Sequence, residues 1–193
     1  MRAIPDSVPE HQALRSEAEL IVSQLGLLDV LRRYGRAEVV GSVALDLVVK
    51  RDIDIHVFIG PAGWREAGLV AIIGDLWPKL LGLEGVGELR LTDYRDAGAI
   101  KIGIDHYPGP SGDWSIDLWV TDREETTAFA TVGELRAALT DETREAILAI
   151  KRHYHRLGLL RNGLSNRIYE AVTRHDVRTV EDFERLQAGS GGP

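Results

Sequence analysis

Residues 52–58, Asp-Ile-Asp-Ile-His-Val-Phe, alternate polar and apolar without a break. This period of two specifies a β-strand, with Ile53, Ile55 and Val57 on one face and Asp52, Asp54 and His56 on the other. A strand with one fully apolar face must bury that face, which demands a sheet and a covering layer. The other face poses a chemical question. Asp52 and Asp54 share it, and nine residues separate them from a Gly41-Ser42 pair. A solvated polar face accounts for two such aspartates, and so does a divalent metal site.

The rest of the chain supplies elements to pack against this strand. Ser7-x-x-Glu10, with Pro9, reads as a capping box opening a helix that stops at Gly26. A second short helix ends at Gly35, and residues 37–42 read as a short strand running into a turn. Residues 63–83 read as a helix kinked or ended near Pro78. Residues 87–94, 99–107 and 113–120 are three further strand candidates, the last two joined by the Pro-Gly-Pro-Ser-Gly turn at 108–112. From Thr121 the pattern turns helical. Thr131-x-x-Glu134 reads as a capping box. Residues 140–158 carry acids first, bases last and Gly158 as a C-cap. Thr179-x-x-Asp182 opens a last short helix. The order predicts an α+β fold: a short mixed β-sheet with helices on one face and a C-terminal helical appendage. The expected division is N-terminal helices at 1–35, the core at 36–125, a helical region at 126–188 and a flexible tail at 189–193.

Composition narrows the class. No cysteine is present among the 193 residues, which removes disulfides, cysteine-ligated zinc and thiol catalysis together. No apolar stretch approaches the roughly 18 residues that span a bilayer, and the N-terminus shows no secretory pattern. A cytoplasmic protein without a membrane partner fits best. The net charge of −7 argues against a general nucleic-acid binder. Residues 151–178, however, hold seven Lys or Arg against two acids, a local +5, and leave −12 to the remainder. That asymmetry suits either a polyanion contact or a solvated helix face.

Parity along the strands suggests which side chains converge. Lys101, Gly103 and Asp105 alternate with Ile100, Ile102 and Ile104, and Ser115, Asp117 and Trp119 alternate with Ile116, Leu118 and Val120. A hairpin pairing 101 with 117 and 105 with 113 would place Lys101 beside Asp117 on the polar face. If residues 52–58 lie alongside, Asp52, Asp54 and Asp117 converge, with Asp105 and Asp113 as alternatives to Asp117. Three such carboxylates repel one another unless a hard cation such as Mg²⁺ joins them. Two ions would clamp a phosphoryl transfer. Gly41 and Ser42, at a strand-to-helix turn, would cradle phosphate, and Lys101 would neutralise a triphosphate or departing pyrophosphate. Other candidates keep two readings. His56 is a supporting residue or merely exposed. Trp119 stacks on a base or packs in the core. Lys50 and Arg51 hold phosphate or simply lead into the strand. His153 and His155 lack ligand spacing.

Val40, Gly41, Ser42, Asp52, Ile53, Asp54 and Ile55 together resemble the signature of the polymerase β-like nucleotidyltransferase superfamily: a hydrophobic residue, Gly-Gly or Gly-Ser, a short spacer, then Asp-hydrophobic-Asp-hydrophobic. The resemblance covers roughly residues 36–120, and Asp117 stands where the family places its third carboxylate. It implies two Mg²⁺ ions (or Mn²⁺) on Asp52, Asp54 and Asp117. It also implies nucleoside monophosphate transfer from an NTP, ATP among them, to an acceptor hydroxyl. Small members of the superfamily modify aminoglycosides, add nucleotides to tRNA 3′ ends, or serve in toxin–antitoxin pairs. Lys101 ahead of Asp117 is similar to the toxin pattern. The expected acceptor is therefore a tRNA or other RNA 3′ end, with a cognate antitoxin as partner. An aminoglycoside acceptor, or a non-catalytic antitoxin-type binding module, is the alternative.

Overall fold

The computed structural model describes residues 9–63, 69–161 and 163–189. Helices α1 (Glu10–Leu25) and α2 (Leu27–Leu31) precede strand β1 (Arg36–Val40), the short helix α3 (Gly41–Leu45) and strand β2 (Asp52–Phe58). Helix α4 (Leu69–Leu81) leads to strands β3 (Glu88–Tyr94), β4 (Ala99–Tyr107) and β5 (Trp114–Thr121). Helices α5 (Phe129–Ala138), α6 (Asp141–Arg156), α7 (Leu164–Arg174) and α8 (Val180–Gly189) follow. The α+β architecture expected from the sequence is present.

The five strands form one mixed sheet in the order β1-β2-β5-β4-β3. Only β2 and β5 run parallel; every other pair is antiparallel. The apolar face carries Ile53, Ile55 and Val57 of β2, Ile100, Ile102 and Ile104 of β4, and Ile116, Leu118 and Val120 of β5, all buried beneath α1, α2 and α4. Each such side chain contributes on the order of 1.5–3 kcal/mol by leaving water. A second core, including Leu47, Ile147, Ile150, Ile168 and Phe183, joins α3 to the C-terminal helices beside β1.

Several local expectations shift. The hairpin does not pair 101 with 117. Lys101 opposes Trp119 and Gly103 opposes Asp117, with an irregularity between Ile104 and Tyr107. The offset from the expected register is two residues, so Lys101 and Asp117 still share a face. Pro78 does not end its helix, which runs on to Leu81. Thr131 caps nothing: α5 begins at Phe129, two residues earlier. Its first turn is satisfied from a distance, because His56 Nδ1 on β2 accepts the Ala128 N–H at 3.0 Å. Thr140 and Thr143 do form a reciprocal cap on α6. Thr179 Oγ1 accepts from Asp182 N at 3.1 Å. Helix α7 was not anticipated. Ser7 and residues 64–68, 162 and 190–193 lie outside the described residues, so the first capping box, the start of the helix before Leu69 and most of the tail do too. Among the described residues no helix is long and apolar enough to cross a membrane.

Candidate active site

The parallel junction of β2 and β5 sets the site. Asp54 and Asp117 are direct cross-strand partners there, and Asp52 lies two residues back on the same face of β2. Burial pushes the Asp54 carboxyl up to about 7, and the neighbouring Asp52 and Asp117 charges push the same way. Lys50 and Lys101 pull against this shift. Each lysine holds one outer carboxylate: Lys50 Nζ lies 2.9 Å from Asp52 Oδ2, and Lys101 Nζ 2.7 Å from Asp117 Oδ2. Asp105 is occupied elsewhere, in an ion pair with Arg90 at 2.5 Å. Asp113 is exposed beside His106.

Gly41 explains the Gly-Ser pair in physical terms. Its φ of +63° lies in the left-handed region, and a Cβ there would fall 2.6 Å from Asp54 Oδ2. The turn from β1 into α3 thus lies directly against the central carboxylate. Two side chains of α6 hold the loop that follows. Arg144 donates to the Leu45 and Asp46 carbonyls at 2.5 and 3.0 Å, and Lys151 Nζ donates to the Leu47 carbonyl at 2.6 Å. A cavity of about 350 Å³ opens between these parts, with Gly41, Ser42, Asp52 and Asp54 on the sheet side and Lys151, Ser165 and Tyr169 on the helical side.

Lys151 is the residue that sequence reading missed. It counted only toward the basic 151–178 segment, yet it is 2% exposed. Its Nζ also donates to Tyr169 Oη at 2.9 Å. Burial lowers its pKa to about 7, and Asp54 and Asp52 work against that shift. A signal was present: Lys151 continues the buried Ile147–Ile150 stripe of α6, where an unpaired cation would not be tolerated. His56 is held neutral by burial, its pKa lowered to about 4, with its Nδ1 engaged by Ala128. Lys50 meets Asp52, whereas Arg51 Nε donates to Ser111 Oγ at 3.0 Å in the 108–112 turn. His153 and His155 make no part of this cavity's lining.

A divalent cation fits the donor set. All three carboxylates offer hard oxygens, and a cation would offset both the burial of Asp54 and the repulsion from Asp52 and Asp117 that raise its pKa. Among the described residues no three acidic or histidine side chains form a ready-made metal cage; Lys50 and Lys101 hold the two outer carboxylates instead.

No family model matches the chain, and no curated protein matches it either. Solved structures do. The fold is similar to that of a cytoplasmic RNA terminal U-transferase, with a TM-score of 0.56 and 16% identity over 82% of this chain and 47% of that one. It is also similar to the Cid1 poly(U) polymerase with MgGTP bound, with a TM-score of 0.53 and 18% identity over 75% of this chain and 43% of that one. A mutant of the same polymerase bound to MgATP matches equally. This chain spans less than half the length of each of those proteins. At such identities the likeness concerns the fold alone, which this chain shares with that terminal U-transferase and that poly(U) polymerase.

Proposed function

We propose that this chain transfers a nucleoside monophosphate from an NTP to an acceptor hydroxyl, and that the acceptor is an RNA 3′ end. The observation that carries the reading is the direct pairing of Asp54 with Asp117 across β2 and β5, with Asp52 and Asp54 in the lining of a cavity of about 350 Å³.

On this reading Asp52, Asp54 and Asp117 hold the divalent ions, Mg²⁺ by preference. Bound there, the ions supply charge neutralisation at the triphosphate and lower the pKa of the acceptor hydroxyl. The triphosphate lies against Gly41 and Ser42, whose N–H groups at the start of α3 have no helical partners. Lys151, at the back of the cavity, meets it from the helical side. Lys50 is positioned to leave Asp52 for a phosphate oxygen. Lys101 holds Asp117 Oδ2, which leaves Oδ1 to take the proton of the attacking hydroxyl. The new bond forms to the α-phosphorus, the bond to the β-phosphate's bridging oxygen breaks, and pyrophosphate departs. The Mg-nucleotides bound in the two Cid1 structures support this reading.

The test is incubation with Mg²⁺, each labelled NTP in turn, and separate acceptor pools of total RNA, tRNA and aminoglycosides. Label on an RNA 3′ end, absent with Asp54→Asn, is the expected result. Label on aminoglycosides alone would overturn the RNA acceptor, and no label on any pool would overturn the transferase. Growth arrest on induction, relieved by a neighbouring gene, would extend the reading to a toxin with its antitoxin.

A further inference from the structure

The polar face of the sheet does not stop at the carboxylates. Register carries the row of Asp54 and Asp117 on through Gly103 of β4 to Arg90 of β3. The next row runs His56, Trp119, Lys101, Thr92. The one after it ends with Ala99 and Tyr94. Across the small Ala99, the rings of Tyr94 and Trp119 meet at 5.5 Å between centroids, tilted by 34°. The apolar core lies on the opposite face, so neither ring is needed to fill it. Tyr94 is 44% exposed and Trp119 is half-buried. The Trp119 Nε1 has no partner.

Two cations flank this pair, each with a carboxylate partner that a phosphate would have to replace: Arg90 is paired with Asp105 and Lys101 with Asp117. Lys101 is the register partner of Trp119 and remains a third exposed. Arg90 leans over Gly103. A methyl group placed on Gly103 would meet the Arg90 guanidinium at 3.6 Å and Asp117 Oδ1 at 3.7 Å. Bare backbone therefore lies between the third carboxylate and an arginine, next to an aromatic pair. Trp119 is two residues from Asp117, about 7 Å along β5.

We propose that the Tyr94–Trp119 pair, with Arg90 and Lys101, forms a platform that docks the single-stranded 3′ end of the RNA acceptor and leads its terminal hydroxyl to Asp117. This rests on the transferase reading above. An aromatic pair on an open sheet stacks on unpaired bases, and the cations follow the phosphates. A duplex keeps its base faces stacked internally and cannot use such a surface.

The platform is tested by binding alone. A short labelled single-stranded oligoribonucleotide is titrated by fluorescence anisotropy with EDTA present and no NTP. Tyr94→Ala and Trp119→Ala are each expected to weaken binding about tenfold, with Trp119→Phe largely restoring it. A blunt duplex of the same sequence is expected to bind more weakly than the single strand. MgATP binding, read by thermal shift, is expected to be unchanged in all variants. Unchanged oligonucleotide affinity in Tyr94→Ala, an exposed position where the fold is safe, would overturn the platform, as would equal affinity for the duplex. RNA labelling without platform dependence would leave the transferase standing and remove this inference. Platform-dependent binding without labelling would do the reverse.

Discussion

Asp54 and Asp117 face each other across the parallel junction of β2 and β5, and burial, with the charges of Asp52 and Asp117 beside it, pushes the Asp54 carboxyl up to about 7. Across the cavity, Lys151 is lowered to about the same pKa. The site is thus set near neutral pH by two groups shifted from opposite ends of the scale.

Stability without metal should therefore pass through a trough near pH 7. Folded Asp54 keeps its proton longer than the unfolded chain, from 3.8 up to about 7, so stability falls as pH rises through that window. Folded Lys151 gives up its proton earlier than the unfolded chain, from 10.5 down to about 7, so stability rises again above neutrality. Each limb should be on the order of 4 kcal/mol. Thermal unfolding in EDTA from pH 4 to 10 measures this. Asp54→Asn should flatten the acid limb and Lys151→Met the alkaline one. A flat profile in the unmodified protein would refute both assignments.

Divalent cation affinity should follow the same carboxylate. Below pH 7 a cation must displace the Asp54 proton, so affinity should climb up to about tenfold per pH unit and level off above it. Isothermal titration with Mg²⁺ or Mn²⁺ at pH 6, 7 and 8 reads the slope.

Lys101→Met should separate binding from chemistry. It removes the cation that competes for Asp117 Oδ2 at 2.7 Å, so Mg²⁺ should bind severalfold more tightly. Nucleotide transfer should nevertheless fall by about a hundredfold, because the cation that holds the Asp117 carboxylate in place for the attacking hydroxyl is gone. Weaker Mg²⁺ binding in this variant would contradict the competition.

Gly41→Ala should be among the most damaging small substitutions. The left-handed backbone costs an alanine about 1–2 kcal/mol, and its methyl would collide with Asp54 Oδ2. Unfolding temperature and Mg²⁺ binding should both drop. Retention of full Mg²⁺ affinity would show that Asp54 can move without consequence.

His56→Ala should cost about 1–2 kcal/mol by orphaning the Ala128 N–H at the start of α5. Asn at position 56 offers an oxygen near the same place, so His56→Asn should recover part of the loss. Chemical denaturation of the three proteins decides it.

Much of this arrangement is legible from the chain. The alternation in β2, β4 and β5 names both faces of the sheet, because side chains on a strand can only point one way or the other. The spacing from Gly41-Ser42 to Asp52 and Asp54 names four site positions by resemblance. The hairpin register was misread because Tyr107 and Trp114 are themselves paired, which centres the connection later than the Pro-Gly-Pro-Ser-Gly turn suggests, and no local signal marks that shift. The capping pattern at Thr131 misled because a histidine 72 positions away supplies the acceptor instead. Lys151 was read as surface charge because net charge counts a residue without its direction.

The sequence by itself determined the strand pattern, the α+β class and the local turn that only glycine allows at position 41. These depend on backbone sterics and side-chain alternation, which act within a few residues. Only the tertiary structure decided which carboxylate faces Asp54, which lysine holds it in check, and that α6 closes the cavity with Lys151. It also decided that Tyr94 and Trp119 meet across β4. Those relationships join residues 16 to 104 positions apart, and they depend on strand order and helix placement that the whole core selects together.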